Sequence, residues 1–282
     1  LSSGVIDSNT IFYNTAGGIT FSFIDKFIAT HSLTVTPITG LDLAIGESII
    51  YDDEIEFLYL MPIMFFRLAD HQLSRQLNTA GGNAQLFFSA SSKGQIKNTH
   101  LYGTLFIDEI TISGLFDSYK QRNQLGFTLG GSITDLPIEN LTAKIEFTKI
   151  YPFVYRHYIQ TTDYQSARYS LGHWIGHNAD LIYGSLNYRF LRGLQATVFG
   201  QYVRKGGDGN VQQQYNIQPQ PPFLFGMRKN YSYFGAEIKY EYTHELFAKL
   251  NFQTTNSSIQ QADLSFIDTR LNEFYFSVYY GL

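Results

Sequence analysis

Polar and apolar residues alternate along most of this chain. The clearest stretch runs from Tyr231 to His244 and reads YSYFGAEIKYEYTH. Ser232, Phe234, Ala236, Ile238, Tyr240 and Tyr242 fall on one side; Tyr233, Gly235, Glu237, Lys239 and Glu241 fall on the other. A period of two marks a strand, and here its two faces suit different solvents. The pattern recurs. Leu141, Ala143, Ile145 and Phe147 oppose Thr142, Lys144, Glu146 and Thr148, and Leu246, Ala248, Leu250 and Phe252 oppose Lys249, Asn251 and Gln253. Near the end, Phe274, Phe276, Val278, Tyr280 and Leu282 oppose Glu273, Ser277 and Gly281. A slip of one residue would carry Glu and Lys onto the apolar face, so register is strongly specified.

This alternation predicts eleven strands: Phe27–Thr36, Leu41–Tyr51, Asn83–Ser91, Thr99–Ile112, Asn123–Ile133, Asn140–Ile150, Ala179–Leu191, Leu194–Arg204, Tyr231–His244, Glu245–Thr254 and Arg270–Gly281. An opening segment, Ser8–Asn14, is a weaker twelfth. The connections alternate in length as well. Pro37–Gly40, Ser92–Asn98, Thr134–Glu139, Phe190–Gly193 and Thr243–Glu245 are short; Asp52–Gly82, Tyr151–Asn178, Lys205–Asn230 and Asn256–Ile267 are long, and Ser113–Arg122 is intermediate. Short turns at one end and long loops at the other characterise outer-membrane barrels, whose long loops lie outside the cell. A soluble sandwich has no reason to keep that alternation. The predicted fold is all-β, a single antiparallel transmembrane β-barrel domain over 1–282, with the C-terminus on the periplasmic side. The chain opens LSSGVIDSNT, without an initiating Met or a signal peptide. A processed chain or a fragment lacking several N-terminal strands is therefore expected.

Composition narrows the classes. Charged residues make up only 16%, below the roughly 25% of soluble domains, and aromatics are also 16%. A mean hydropathy of −0.13 fits a wall with one wet face. No run approaches the ~18 uninterrupted apolar residues of a membrane helix. A net charge of −4 without a basic cluster excludes nucleic acid as the partner, and the absence of cysteine excludes disulfide or thiolate chemistry. The expected partners are outer-membrane lipid, a surface polysaccharide and, as an open alternative, other envelope proteins.

Five groups of side chains could carry chemistry or contacts. Glu47, Lys144, Glu146, Glu237, Lys239 and Glu241 are expected to face a wet lumen. Glu47 follows Leu43, Ala44, Ile45 and Gly46, and a basic partner inside the barrel is predicted for it. Glu47, Asp52, Asp53, Glu54 and Glu56 form an acidic cluster that suits calcium or sugar hydroxyls better than hydrolysis, with a solvated rim as the default. His173, His177 and Asp180 lie close together, but Gly172 and Gly176 deny them a geometric frame, so no metal or cofactor is expected. The 151–178 loop is rich in Tyr and holds Trp174. It reads either as an interfacial girdle or as a platform stacking on sugars, with Arg156 and Arg168 supplying positive charge. Phe223, Leu224 and Phe225, after a Pro- and Gln-rich stretch, either dock a partner or fold back over the mouth.

Three stretches also carry a resemblance. Residues 26–65 place a His at a strand, a short turn, Gly-Glu after an apolar strand, and Tyr-Leu-x-Pro at Tyr59–Pro62. NAQLFFSASSKG at 83–94 precedes LYGTLFIDEI, and RYSLGHWIGHNADLIYGSLNYRF fills 168–190. Together these resemble the Wzi-type capsule assembly family of outer-membrane barrels. The resemblance implies a barrel of about eighteen strands that holds capsular or exopolysaccharide at the surface without enzymatic activity. On this basis Tyr164, Arg168, Tyr169, His173, Trp174, His177, Arg156 and Tyr59 are the candidate polysaccharide contacts. A passive pore for small solutes and an accessory subunit of a larger envelope complex are the alternatives.

Overall fold

The computed structural model describes residues 2–13, 19–52, 54–77, 81–110, 123–135, 137–166, 169–217 and 219–280. Its strands are β1 (Ser2–Tyr13), β2 (Ile19–Ile38), β3 (Leu41–Asp52), β4 (Asn83–Lys93), β5 (Thr99–Glu109), β6 (Gln124–Thr134), β7 (Leu141–Ile150), β8 (Gln165–Ser166), β9 (Tyr169–Ser170), β10 (Ala179–Leu191), β11 (Leu194–Lys205), β12 (Lys229–Thr243), β13 (Leu246–Gln260) and β14 (Phe266–Tyr280). Helix α1 (Phe66–Leu77) follows β3, and the short α2 (Gln212–Asn216) follows β11. Twelve strands form one sheet in chain order, with β8 and β9 set apart as a small ribbon between β7 and β10. Every pairing is antiparallel. Among the described residues β1 and β14 each have a neighbour on one side only.

All eleven strands expected from alternation are present, and the opening segment falls in β1 as far as Tyr13, with Asn14 outside the described residues. One connection differs. The long loop expected at 256–267 is a five-residue turn, 261–265, because β13 runs on to Gln260 and β14 begins at Phe266. Asn256, Ser257 and Ser258 look like loop residues by composition, yet they pair with Arg270, Thr269 and Asp268. The expected 113–122 connection lies outside the described residues. At the short-turn end, Gly193 has φ +87°, and a Cβ there would sit 2.4 Å from the Glu241 carbonyl oxygen, so the turn requires glycine.

Register decides which residues share a face. Leu101, Gly131, Ile145, Gly184, Gly200 and Phe234 lie opposite one another on successive strands. Above and below that row the same face carries exposed Leu129, Phe147, Ile182, Leu186, Val198 and Ile238. An exposed apolar surface of that breadth is rare on a soluble monomer and marks a membrane or protein contact. Strands of ten to fifteen residues meet or exceed the ~9–11 that cross a bilayer when tilted. Charge returns to this outer face at the long-loop end, where Arg204 grips Asp180 through two bonds of 2.9 and 2.5 Å. The opposite face is polar. The architecture is the wall of an outer-membrane-type β-barrel.

One patch of the outer face is covered. Phe27, Ala29, Ile49 and Tyr51 pack with Tyr59, Phe66 and Ala69 from the segment that contains α1. Glu47 sits on this same outer face, in register with His31 and Leu86. The lumen position and basic partner expected for it are not what the structure shows. Its carboxylate accepts the backbone N–H of Phe66, the first residue of α1, at 2.7 Å. The unpaired amides and positive dipole end of a helix take the place of a basic side chain.

Candidate functional site

The 151–178 connection folds inward across the polar face at the long-loop end. It starts by burying Val154 against Ile150, Leu181 and Val203, beside Ile175 from its returning limb. It then crosses the wall and is pinned strand by strand. Tyr155 N–H donates to Asp108 on β5 at 2.7 Å, and the Asn83 amide on β4 donates to the Thr162 carbonyl at 3.2 Å. The Thr161 hydroxyl donates to Asp52 on β3. On β2, the Lys26 ammonium donates to the carbonyls of Asp163 and Gln165 at 2.5 and 2.8 Å. Lys26 is buried, so a charge and two carbonyls taken from water answer one another.

The 206–228 connection lies against the first. Asn178, fully buried, donates to the Gly207 and Phe225 carbonyls and accepts from Leu224 N–H. Phe223 packs on Tyr151 and Phe225 on Phe153, with ring centroids 5.8 and 5.4 Å apart. Gln214 reaches Gln124 at the start of β6. Phe223, Leu224 and Phe225 thus pack back onto the 151–178 loop.

The proposed contact residues divide into three settings. Arg156, Tyr164, His173 and His177 belong to the infolded loop and are largely committed to holding it. Arg156 lies 3.6 Å from Asp163, and Tyr164 stacks on Tyr155 at 5.7 Å, with Phe106 against both. His173 donates its N–H to the Tyr155 hydroxyl, and the Nδ1 atoms of His173 and His177 accept backbone N–H groups from Ile175 and Phe153. By contrast Trp174 is 60% exposed, stacked on His173, and Tyr169 is 80% exposed. Tyr59 is elsewhere. It is buried under the outer-wall cap with its hydroxyl on Asp70, so it cannot share a ligand with the loop. Arg168 lies outside the described residues, as does Asp53. Among the described residues no group of His, Asp and Glu converges as a metal would require.

Burial tunes the loop's titrating groups. It pushes His177 down to about 4, helped by Arg156 and opposed by Asp208, whose carboxylate lies 4.0 Å from Nε2. His157 and His173 are lowered for the same reason. Asp163 is raised by burial, against the His157 N–H and the charges of Arg156 and Lys26. The Tyr155 hydroxyl is pushed up to about 12. At neutral pH the loop is therefore held by neutral imidazoles acting as acceptors.

The other expected lumen charges lie on the polar face. Lys144 pairs with Glu146 at 3.2 Å, and Glu146 accepts from the Tyr102 hydroxyl. Glu237 pairs with Lys249 at 2.6 Å, and the Lys239 ammonium sits 4.4 Å from the centre of the Phe247 ring. Glu241 faces Phe247 in register. Sequence reasoning missed Lys26, Asp108 and Asn178, the residues that fasten the loops. Lys26 falls one position before the expected start of its strand, and nothing local marks Asn178.

No family model and no curated protein matches the sequence. Among solved structures the chain is similar to OccD3 (OpdP) of Pseudomonas aeruginosa, with a TM-score of 0.44 and 10% identity over 97% of this chain and 60% of that one. It is also similar to engineered variants of the porin of Rhodopseudomonas blastica, with a TM-score of 0.26 and 8% identity over 98% of each chain. The chain thus spans about 60% of the length of OccD3. Likenesses at this level decide nothing about function, which has to be argued from the wall and its mouth.

Proposed function

We propose that this chain builds a water-filled channel for small polar solutes in an outer membrane, narrowed at its extracellular mouth by the 151–178 loop. One observation carries the reading: the inner wall is charged and wet. The Lys144 and Glu146 side chains remain 39% and 20% exposed although paired, and Lys249 and Glu237 remain 36% and 24% exposed. A dry, packed interior would leave such groups buried at a cost of several kcal/mol per ion. Both signs alternate along this wall, which suits small hydrophilic solutes without strong charge selection. The infolded loop is pinned on β2 to β5, and no hydrogen bond or ion pair ties it to β13 or β14 among the described residues.

A second reading rests on a different observation. Trp174, Tyr169 and Tyr158 are exposed on the same loop, the placement that stacking against the apolar faces of a polysaccharide needs. Together with the Wzi-type resemblance over 26–190 this supports surface attachment of a polymer. Single-channel recording in planar bilayers tests the first reading: discrete conductance steps support it, and a folded, inserted protein that never conducts rules it out. Binding to extracted surface polysaccharide tests the second. Affinity abolished by Trp174→Ala and Tyr169→Ala supports it, and no binding to any fraction removes it.

A further inference from the structure

The channel reading makes no use of the helix mounted on the outer wall. Residues 54–77 leave the sheet after β3 and lie against its apolar face, where Tyr59, Phe66 and Ala69 are buried. The far side of this segment exposes apolar side chains as well, most of them before α1, beside the polar Glu54, Arg67, His71 and Gln72. Phe57 is 76% exposed, Ile63 91%, Phe65 63% and Leu68 66%. A cap that shielded a wall from water would turn polar residues outward along its whole length; this one does so on α1, around Leu68, but keeps Phe57, Ile63 and Phe65 outward before it. Along β3 the outward positions Leu43 and Ile45 remain exposed, and Glu47, next in that row, is the first to be covered. The exposed apolar surface therefore runs continuously from the wall onto the segment. Arg67 and His71, also exposed, flank Leu68 on α1.

We infer that residues 54–77, an irregular segment running into helix α1, form a wall-mounted interfacial cap whose outward apolar side chains, Phe57, Ile63, Phe65 and Leu68, sit in membrane lipid, with Arg67 and His71 at the lipid phosphates. This rests on the outer-membrane barrel reading. Helices with an apolar face and cationic flanks lie in the plane of the interface at the level of the headgroups. The arrangement also explains Glu47. A carboxylate in the lipid-facing row is tolerable only beneath a cover that supplies a donor, and the α1 N-terminus does so. The helix thereby fixes the height of β2 and β3 in the bilayer while keeping that carboxylate out of lipid.

The test uses the full chain in a Trp174→Phe background, carrying one reporter each: Phe65→Trp, Leu68→Trp, or Ile145→Trp on the bare wall. Each is reconstituted in phosphatidylcholine–phosphatidylglycerol vesicles with and without bromine on the acyl chains. Both cap reporters, one just before α1 and one on it, are expected to lose emission roughly two-fold in brominated vesicles, as the wall reporter does. If Ile145→Trp is quenched and neither cap reporter is, the inference is overturned while the barrel reading stands. If no reporter is quenched, the barrel reading fails and takes this inference with it. All three positions are exposed, and two cap reporters guard against a local fault in one.

Discussion

Replacing Lys26 by Met should release the 151–178 loop from the wall. The ammonium makes two charge-assisted bonds, to the Asp163 and Gln165 carbonyls, and is buried where solvent screens it little. Such bonds contribute about 1.5–3 kcal/mol each, and two give ~3–6 kcal/mol before costs. Holding the ammonium out of water takes back several of those. A net loss of about 2–3 kcal/mol shifts the pinned-to-free ratio by roughly 30- to 150-fold. Two readouts follow. Arg156, held against Asp163 in the pinned loop, becomes a site of trypsin cleavage. Single-channel currents become larger or flicker as the constriction moves. Lys249→Met is the control, since it removes a cation from the inner wall with no loop attached, so cleavage at Arg156 should not change. Unchanged cleavage and unchanged currents in Lys26→Met would falsify the view that this contact pins the mouth.

Further outcomes are expected elsewhere. His177 has a folded pKa near 4, below the unfolded value near 6.5, so the unfolded loop binds more protons between these limits. Its contribution, ~3 kcal/mol, is complete above pH 6.5 and is lost as pH falls toward 4. Asp163 is raised by burial and acts in the opposite sense. The informative quantity is thus the difference between wild type and His177→Gln in amide exchange across 151–178; equal exchange in the two at pH 5 contradicts the assignment. Phe66→Ala empties the centre of the outer-wall cap and should cost about 3–5 kcal/mol in urea unfolding, whereas Leu68→Ala leaves no cavity and loses only ~1–2 kcal/mol of transfer into lipid. Comparable losses from both would place the helix wrongly. Arg204→Met leaves the nearly buried Asp180 carboxylate without its two-pronged partner, and about 1–3 kcal/mol should be lost in thermal unfolding in detergent, discounted for the half-exposed guanidinium. No change there means that Lys149, opposite Asp180 in register, compensates.

Alternation was enough to locate the strands because side chains on a strand must alternate between faces, and half of each strand here meets water. The Glu47 expectation failed on the same rule. Leu43 and Ile45 face outward, so a period of two already puts Glu47 on their side. The assumption that a carboxylate must seek the lumen overrode it. The cap that makes the outward position tolerable also left a trace: Phe66, Ala69, Leu73 and Leu77 recur at helical spacing within MFFRLADHQLS and its continuation. That signal was hidden inside what looked like one long loop.

The mouth was legible only in part. Loop length and aromatic content marked 151–178 as the region of interest, but not the direction in which it folds. That direction is set by partners far away in the chain: Lys26, Asp52, Asn83 and Asp108 on four separate strands, and Asn178 joining two loops. The sequence by itself determined a meander of two-faced strands and, except at 261–265, the alternation of short turns with long connections, since these follow from neighbours in the chain. Only the tertiary structure decided that one connection climbs the outer wall while two others turn inward. Those choices depend on which buried donors and acceptors meet across the sheet, and no local pattern records that.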